Sequence, residues 1–320
     1  MTKTEMCAPA GHRTVTAAEI SCFGSLTGDY SRIHFDHEYS RASGLDGQLA
    51  HGLLGASWVL GALTLHAPER VGVGAGDAYL SHYGVRLKRM VFAGDTLSFR
   101  WSDDPEFDAA SQRSTRATAF EVLNQRDEVV TLGQVVLCLG LEGSDRSKLP
   151  DPPTRWTFGA GASSLPLTTY YAEDIFESGP RGETLGRTLT ESDVVGFTNH
   201  VGELNPLYLN EVFANASRFK VRIAPPMLTF CLGFSEFLRA LLTIPMPSTG
   251  GSAGHLGDSW NFYRPVKFGD TLRTLYKPVS CVRSRSRPDQ ALIRFGLQIV
   301  NQHDQVVQDG ENILMMLGRP

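Results

Sequence analysis

A chain of 320 residues has room for two domains of ordinary size, each with its own core. With 42% hydrophobic and 20% charged residues it reads as globular rather than disordered, and a net charge of −4 with no long basic run argues against a nucleic-acid partner. Five scattered cysteines (Cys7, Cys22, Cys138, Cys231 and Cys281) form no CxxC pair, which argues against structural zinc and fits reduced thiols in the cytoplasm.

The N-terminal stretch lacks the apolar core of a signal peptide. In chain order, Thr16-Ala-Ala-Glu19 predicts a capped helix start. A polar loop follows, carrying Asp29 and His34. His51-Gly52 then leads into a helix over Leu53–Leu65. That helix is apolar on most faces, but polar residues interrupt the run, so it reads as a buried helix and not a membrane span. Segments 85–92 and 96–101 predict strands around a Gly94-Asp95 turn, and segments 116–123 and 129–139 a hairpin around Asn124–Asp127. The proline-rich stretch from Leu149 predicts a linker over 151–165, separating units at 1–150 and 166–320.

The same order then returns. Thr190-Glu-Ser-Asp193 repeats the helix start, and Glu203 and Tyr208 stand where Asp29 and His34 stood, each at the same spacing (203 − 29 = 174, 208 − 34 = 174). Pro225-Pro226 replaces His51-Gly52, a helix over Met227–Leu242 follows, and Gly269-Asp270-Thr271 repeats Gly94-Asp95-Thr96. So long a period marks a duplicated domain rather than a solenoid. One buried helix and several antiparallel strands, used twice, predict an α+β fold. The copies differ at their polar residues, so one is expected to do chemistry and the other to shape the site.

Gly28-Asp29-x-x-x-Ile33-His34-x-Asp36 followed by Ala50-His51-Gly52-Leu53 resembles the MaoC-like, (R)-specific enoyl-CoA hydratase family. Gly202-Glu203-Leu204-Asn205-Pro206-Leu207-Tyr208 resembles the same pattern, and Ala224-Pro225-Pro226 resembles the opening of the helix in non-catalytic halves. The resemblance implies a double hotdog: two tandem units, each an antiparallel sheet wrapped around a long helix. It also implies reversible hydration of trans-2-enoyl thioesters to (3R)-3-hydroxyacyl thioesters. The substrate would ride on CoA or an acyl carrier protein, with no metal, cofactor or membrane involved, and a homodimer of such chains is allowed.

Within that resemblance Asp29 and His34 are the catalytic acid–base pair, His34 serving C2 and Asp29 the leaving hydroxyl in dehydration. Gly52 offers a backbone N–H to the thioester oxygen at a helix N-terminus. Ser57 is expected to hydrogen-bond Asp29. Ser31-Arg32 departs from the family's Asn-Pro; Ser31 is expected to take over part of the Asn role, and Arg32 to bring a cation near the site. Asp36 is expected to cap the next turn, His51 to be a structural histidine, Asp95 and Asp270 to make turns, and Arg86, Lys88 and Arg89 to be a solvated face. A hotdog thioesterase and a non-catalytic acyl-binding subunit are the alternative functions. Phe230 and Phe234 are expected to line an acyl tunnel.

Overall fold

A computed structural model of the chain describes residues 6–45, 47–76, 78–103, 115–139, 149–158, 167–179, 181–247 and 254–320. The first copy contains strand β1 (Ala10–Thr14), helices α1 (Ala17–Thr27), α2 (Arg32–Phe35), α3 (His37–Ala42) and α4 (Gly52–His66), then strands β2 (Tyr79–Leu87), β3 (Thr96–Asp103), β4 (Thr115–Leu123) and β5 (Val129–Cys138). After helix α5 (Ala172–Ser178) and the short strands β6 (Gly182–Glu183) and β7 (Arg187–Thr188), the order repeats. The second copy contains α6 (Glu191–Val201), α7 (Pro206–Leu209), α8 (Glu211–Ala216), α9 (Pro226–Leu241), β8 (Gly254–Phe262), β9 (Thr271–Arg283), β10 (Gln290–Val300) and β11 (Val306–Leu317).

Among the described residues the strands form one antiparallel sheet in the order β1-β3-β4-β5-β2-β8-β11-β10-β9-β6, with β7 also pairing β9. The two copies join where β2 pairs β8, and there Gly84 stands opposite Ser259. Their separation, 259 − 84 = 175, matches the repeat offset of Asp95 and Asp270, so a pseudo-two-fold axis passes between them. Ser57 and Cys231, 174 residues apart (231 − 57), meet across the same axis with their side-chain atoms 4.0 Å apart.

Local conformations repeat where the sequence does. Thr16 and Thr190 cap α1 and α6 by accepting from the backbone N–H three residues on. In the second copy Asp193 completes a capping box; Glu19 instead pairs with Arg13 and His200, tying the two copies together. Gly28 and Gly202 end these helices at φ 84° and 83°. That left-handed conformation favours glycine and turns the following carboxylate residue inward.

Both long helices are buried in one continuous core that includes Trp58, Tyr83, Phe120, Phe230 and Trp260. Tyr83 hydroxyl donates to the Ala56 carbonyl at 2.7 Å, linking β2 to α4. Full burial of each such apolar side chain contributes about 1.5–3 kcal/mol. Phe230 and Phe234 both belong to this core, the first with its ring 4.3 Å from that of Trp260 and the second 4.9 Å from that of His255.

The second strand begins and ends earlier than its apolar pattern predicts. The Gly94-Asp95 turn also joins strands that are not neighbours: β2 pairs β5 and β8, while β3 pairs β1 and β4. The chain therefore crosses between two parts of the sheet here, and Asp95 holds the turn by accepting from Phe92 N–H. The predicted hairpin around Asn124–Asp127 is present as β4–β5. The proline-rich stretch lies within the described residues only to 158. There Trp156 N–H donates to Gln298, and its ring packs near Gly296, both on β10. No helix among the described residues is long and apolar enough to cross a membrane.

Candidate active site

The left-handed turn at Gly28 delivers Asp29 into the interior, and the following residues hold it there. Ser31 donates twice to Asp29 Oδ1, from its hydroxyl at 2.5 Å and from its backbone N–H at 3.1 Å. Ser31 occupies the cap position of α2 but makes no side-chain cap bond, because its hydroxyl is committed to Asp29. Its counterpart Asn205 caps α7 by accepting from Leu207 N–H.

His34, on α2, is buried with Nδ1 2.9 Å from the Leu49 carbonyl oxygen. A carbonyl only accepts, so Nδ1 carries the proton and Nε2 is left as the basic nitrogen. Burial pushes the His34 pKa below the usual histidine value, against the opposing pull of Asp29 and the Leu49 carbonyl; His255 adds to the lowering. For Asp29 burial works upward, yet the net shift is downward, toward the ionised form: the His51 and His34 rings favour the carboxylate to the extent that they carry charge, and the two Ser31 hydrogen bonds favour it whatever the rings carry. The resting pair is thus an ionised carboxylate beside a neutral imidazole.

His51 packs against His34 with ring centroids 3.9 Å apart and the rings tilted by 31°, and its Nε2 donates to the Asp29 backbone carbonyl at 3.0 Å. Burial, and then the neighbouring His34, lower its pKa to about 3, so it stays neutral and links the mouth of α4 to the Asp29 loop, the structural part expected of it. A carboxylate oxygen of Asp29 and one ring nitrogen each of His34 and His51 lie within 4.8 Å of one another, close enough to share one water or a divalent cation.

Gly52 is the first residue of α4, and no side chain caps that helix. The first-turn N–H groups and the helix dipole therefore face the site. A Cβ on Gly52 would lie 2.3 Å from Leu87 Cδ1 and 3.4 Å from His255 Nδ1. A side chain here would therefore have to push the end of the Leu87 side chain aside.

Two expectations are corrected. Ser57 does not reach Asp29: its hydroxyl donates to the Leu53 carbonyl at 2.7 Å and faces Cys231, because its place on the helix points it to the seam between the copies. Arg32 turns outward, pairing with Asp36 at 2.7 Å and lying over the Tyr39 ring. Asp36 caps α3 by accepting from Tyr39 N–H at 2.9 Å, and Asp270 makes a turn by accepting from Lys267 N–H. Arg86, Lys88 and Arg89, at and just after the end of β2, are all exposed to solvent.

The second copy repeats this arrangement with different residues. Glu203, Asn205 and Tyr208 line a small cavity with Leu80 and Tyr79. Burial raises the Glu203 pKa to about 8, against the hydrogen bond from Tyr208, so this carboxyl is mostly protonated at neutral pH. Tyr208 is pushed well above its ordinary value. Pro226, at the first position of α9, has no N–H to offer.

Sequence reasoning missed His255 and Asp258. Their side chains approach to 2.7 Å between His255 Nε2 and Asp258 Oδ2, and the Asp258 side chain is wholly buried. They stand outside every repeated block. The signal available was the repeat itself, which sets them against Leu80 and Tyr83 (255 − 80 = 175, 258 − 83 = 175).

The MaoC-like domain matches residues 5–119, and the FAS1-like dehydratase domain region matches residues 179–310. The (R)-specific enoyl-CoA hydratase of Rhodospirillum rubrum is 30% identical over 153 residues, which cover 48% of this chain and 96% of that protein. The chain belongs to the MaoC-like dehydratase family. A second member, the 3-hydroxybutyryl-CoA dehydratase of Methylorubrum extorquens, is 32% identical over 148 residues, 46% of this chain and 85% of that protein. A MaoC domain dehydratase from Chloroflexus aurantiacus superposes with a TM-score of 0.74 at 17% identity, covering 100% of this chain and 97% of that one. A Mycobacterium tuberculosis protein with a double hotdog fold superposes with a TM-score of 0.68 at 16% identity, covering 99% and 97%. The α+β, double-hotdog architecture is therefore shared along the whole chain.

Proposed function

We propose that this MaoC-like protein is a hydro-lyase that adds water reversibly to trans-2-enoyl thioesters, with Asp29 and His34 as its proton-transfer pair. The observation that carries this reading is the geometry of the pair: Asp29 held by Ser31 and His34 anchored through Nδ1, buried together at the uncapped N-terminus of α4.

In hydration the pair accepts a proton from water as the water oxygen bonds to C3. The C2=C3 electrons move toward C2 and the thioester carbonyl, whose oxygen gains charge beside the Gly52 N–H. The same proton then passes from the pair to C2. Dehydration is the reverse: His34 takes the C2 proton, and the pair returns it to the leaving hydroxyl held at Asp29. One pair serving C2 and C3 from one side gives syn addition. A pair that starts without a transferable proton matches this cycle, because the proton it delivers is the one it has just received.

In the same reading the unit at 1–150 is catalytic, 151–165 connects, and the unit at 166–320 is degenerate at Glu203 and Tyr208 and shapes the site. Family relatives that act on CoA thioesters support an acyl-CoA substrate, with an acyl carrier protein as the other carrier of the same thioester. Scattered free cysteines support a cytoplasmic setting. The test follows the ultraviolet band of crotonyl-, octenoyl- and branched 2-enoyl-CoA. Loss of the enoyl band without free thiol is expected; release of thiol would make the protein a thioesterase, and no change with any of them would make it a binding subunit.

A further inference from the structure

Asp29, Ser31, His34 and Gly52 all come from the first copy, yet the axis between Gly84 and Ser259 sets residues of the second copy around them. β8 carries a bulge. Its register with β11 shifts between the Ile313–Gly257 and Leu314–His255 pairs, leaving Leu256 as the extra residue. Residues three apart on a regular strand face opposite sides, and one inserted residue puts them on the same side. The bulge therefore lets His255 and Asp258 meet. β2 has the same irregularity between Leu80 and His82, so Leu80 and Tyr83 are the counterparts of His255 and Asp258. Leu80 lines the cavity that contains Glu203, Asn205 and Tyr208. By the same symmetry His255 belongs to the wall of the space that contains Asp29, Ser31 and His34, and its Nδ1 lies 3.4 Å from where a Cβ of Gly52 would stand.

The bracing of the ring is also specific. Its Nε2 side is set against Asp258 Oδ2 at 2.7 Å, though off the line of a hydrogen bond, and Asp258 Oδ1 accepts from Asn312 Nδ2 at 2.9 Å. Phe234 stacks on the other side of the ring. With Nε2 turned to Asp258, Nδ1 is the ring nitrogen that faces the Gly52 turn, where a ring N–H is placed to donate.

We propose that His255, braced by Asp258, is a further active-site residue that donates from Nδ1 to the thioester oxygen beside the Gly52 N–H, so that the second copy supplies half of the oxyanion site. This rests on Asp29 and His34 being the reacting pair. The first copy offers Leu80 at the equivalent place, which is why only one of the two sites can hold the oxyanion from both sides.

The test compares three substitutions on the fastest of the 2-enoyl-CoA substrates. His255→Leu, which copies the residue of the silent half, should lower kcat by about 10²–10³-fold, as removal of one oxyanion donor does, with KM changed far less. His255→Asn carries an amide that can reach the Nδ1 position and should recover at least about tenfold over the leucine variant, a partial rescue of that same donor. His255→Gln reaches the Nε2 position and should not recover. If the leucine variant fails to fold, the contrast between Asn and Gln decides alone. A leucine variant with kcat close to wild type, or glutamine rescuing as well as asparagine, would overturn the proposal. Asp29→Asn measured in parallel separates the two readings: if that variant stays active the assignment of the site fails, and if only the His255 variants stay active the oxyanion role of His255 fails.

Discussion

Glu203 gives the second copy a pH signature in stability that can be calculated in advance. Its carboxyl is wholly buried, Oε2 has no hydrogen-bond partner, and the pKa rises from an ordinary 4.5 to about 8. Below pH 4.5 the group is protonated in both folded and unfolded chains and favours neither. Between 4.5 and about 8 the unfolded chain ionises while the folded one does not, so stability falls as pH rises, by up to about 1.4 kcal/mol per pH unit. Above about 8 both forms are ionised and the loss is complete. A shift from 4.5 to about 8 sets an upper limit near about 5 kcal/mol, and water entering around a buried carboxylate should reduce the observed loss to about half of that. Glu203→Gln removes the titration. Urea unfolding of both proteins from about pH 5 to 9 should show the wild type losing stability relative to the variant across this window, with other titrating groups cancelling in the difference. A flat difference would mean that Glu203 is solvated or already ionised, and would refute its burial as a neutral acid.

Gly52→Ala places a methyl against Leu87 and should destabilise by about 1–3 kcal/mol, with Leu87→Ala recovering part of it; thermal unfolding of the single and double variants checks the coupling. Ser31→Ala removes a hydrogen bond that lowers the Asp29 pKa, so the acid limb of the kcat profile should move to higher pH, from a wild-type position below the ordinary histidine value; an unmoved limb would detach Ser31 from the pair.

The fold was legible because the residues that shape the backbone are the ones that repeat. Gly28 and Gly202 take the same left-handed turn, Thr16 and Thr190 cap the same helix, and two apolar helices have to be buried on most sides. The Asp29–His34 loop was legible for the same reason, set against a copy with Glu203 and Tyr208. What was not legible depended on rotation and register. Ser57 lies one helical turn past Leu53, and sequence spacing alone does not say that this face meets Cys231 and not Asp29. The bounds of β2 were hidden because its neighbours are β5 and β8, a pairing that the Gly94-Asp95 turn does not reveal. His255 and Asp258 face the same side only because of a bulge, which an alternating pattern cannot show.

The most direct measurement compares turnover of Asp29→Asn, His34→Gln and Glu203→Gln on one enoyl-CoA substrate, with unfolding midpoints recorded beside it. The first two variants should lose about 10²–10⁴-fold in kcat while remaining folded, and Glu203→Gln should lose less than about tenfold. Near-wild-type turnover in either of the first two variants, or equal damage in the third, would contradict the assignment of a single working site to Asp29 and His34.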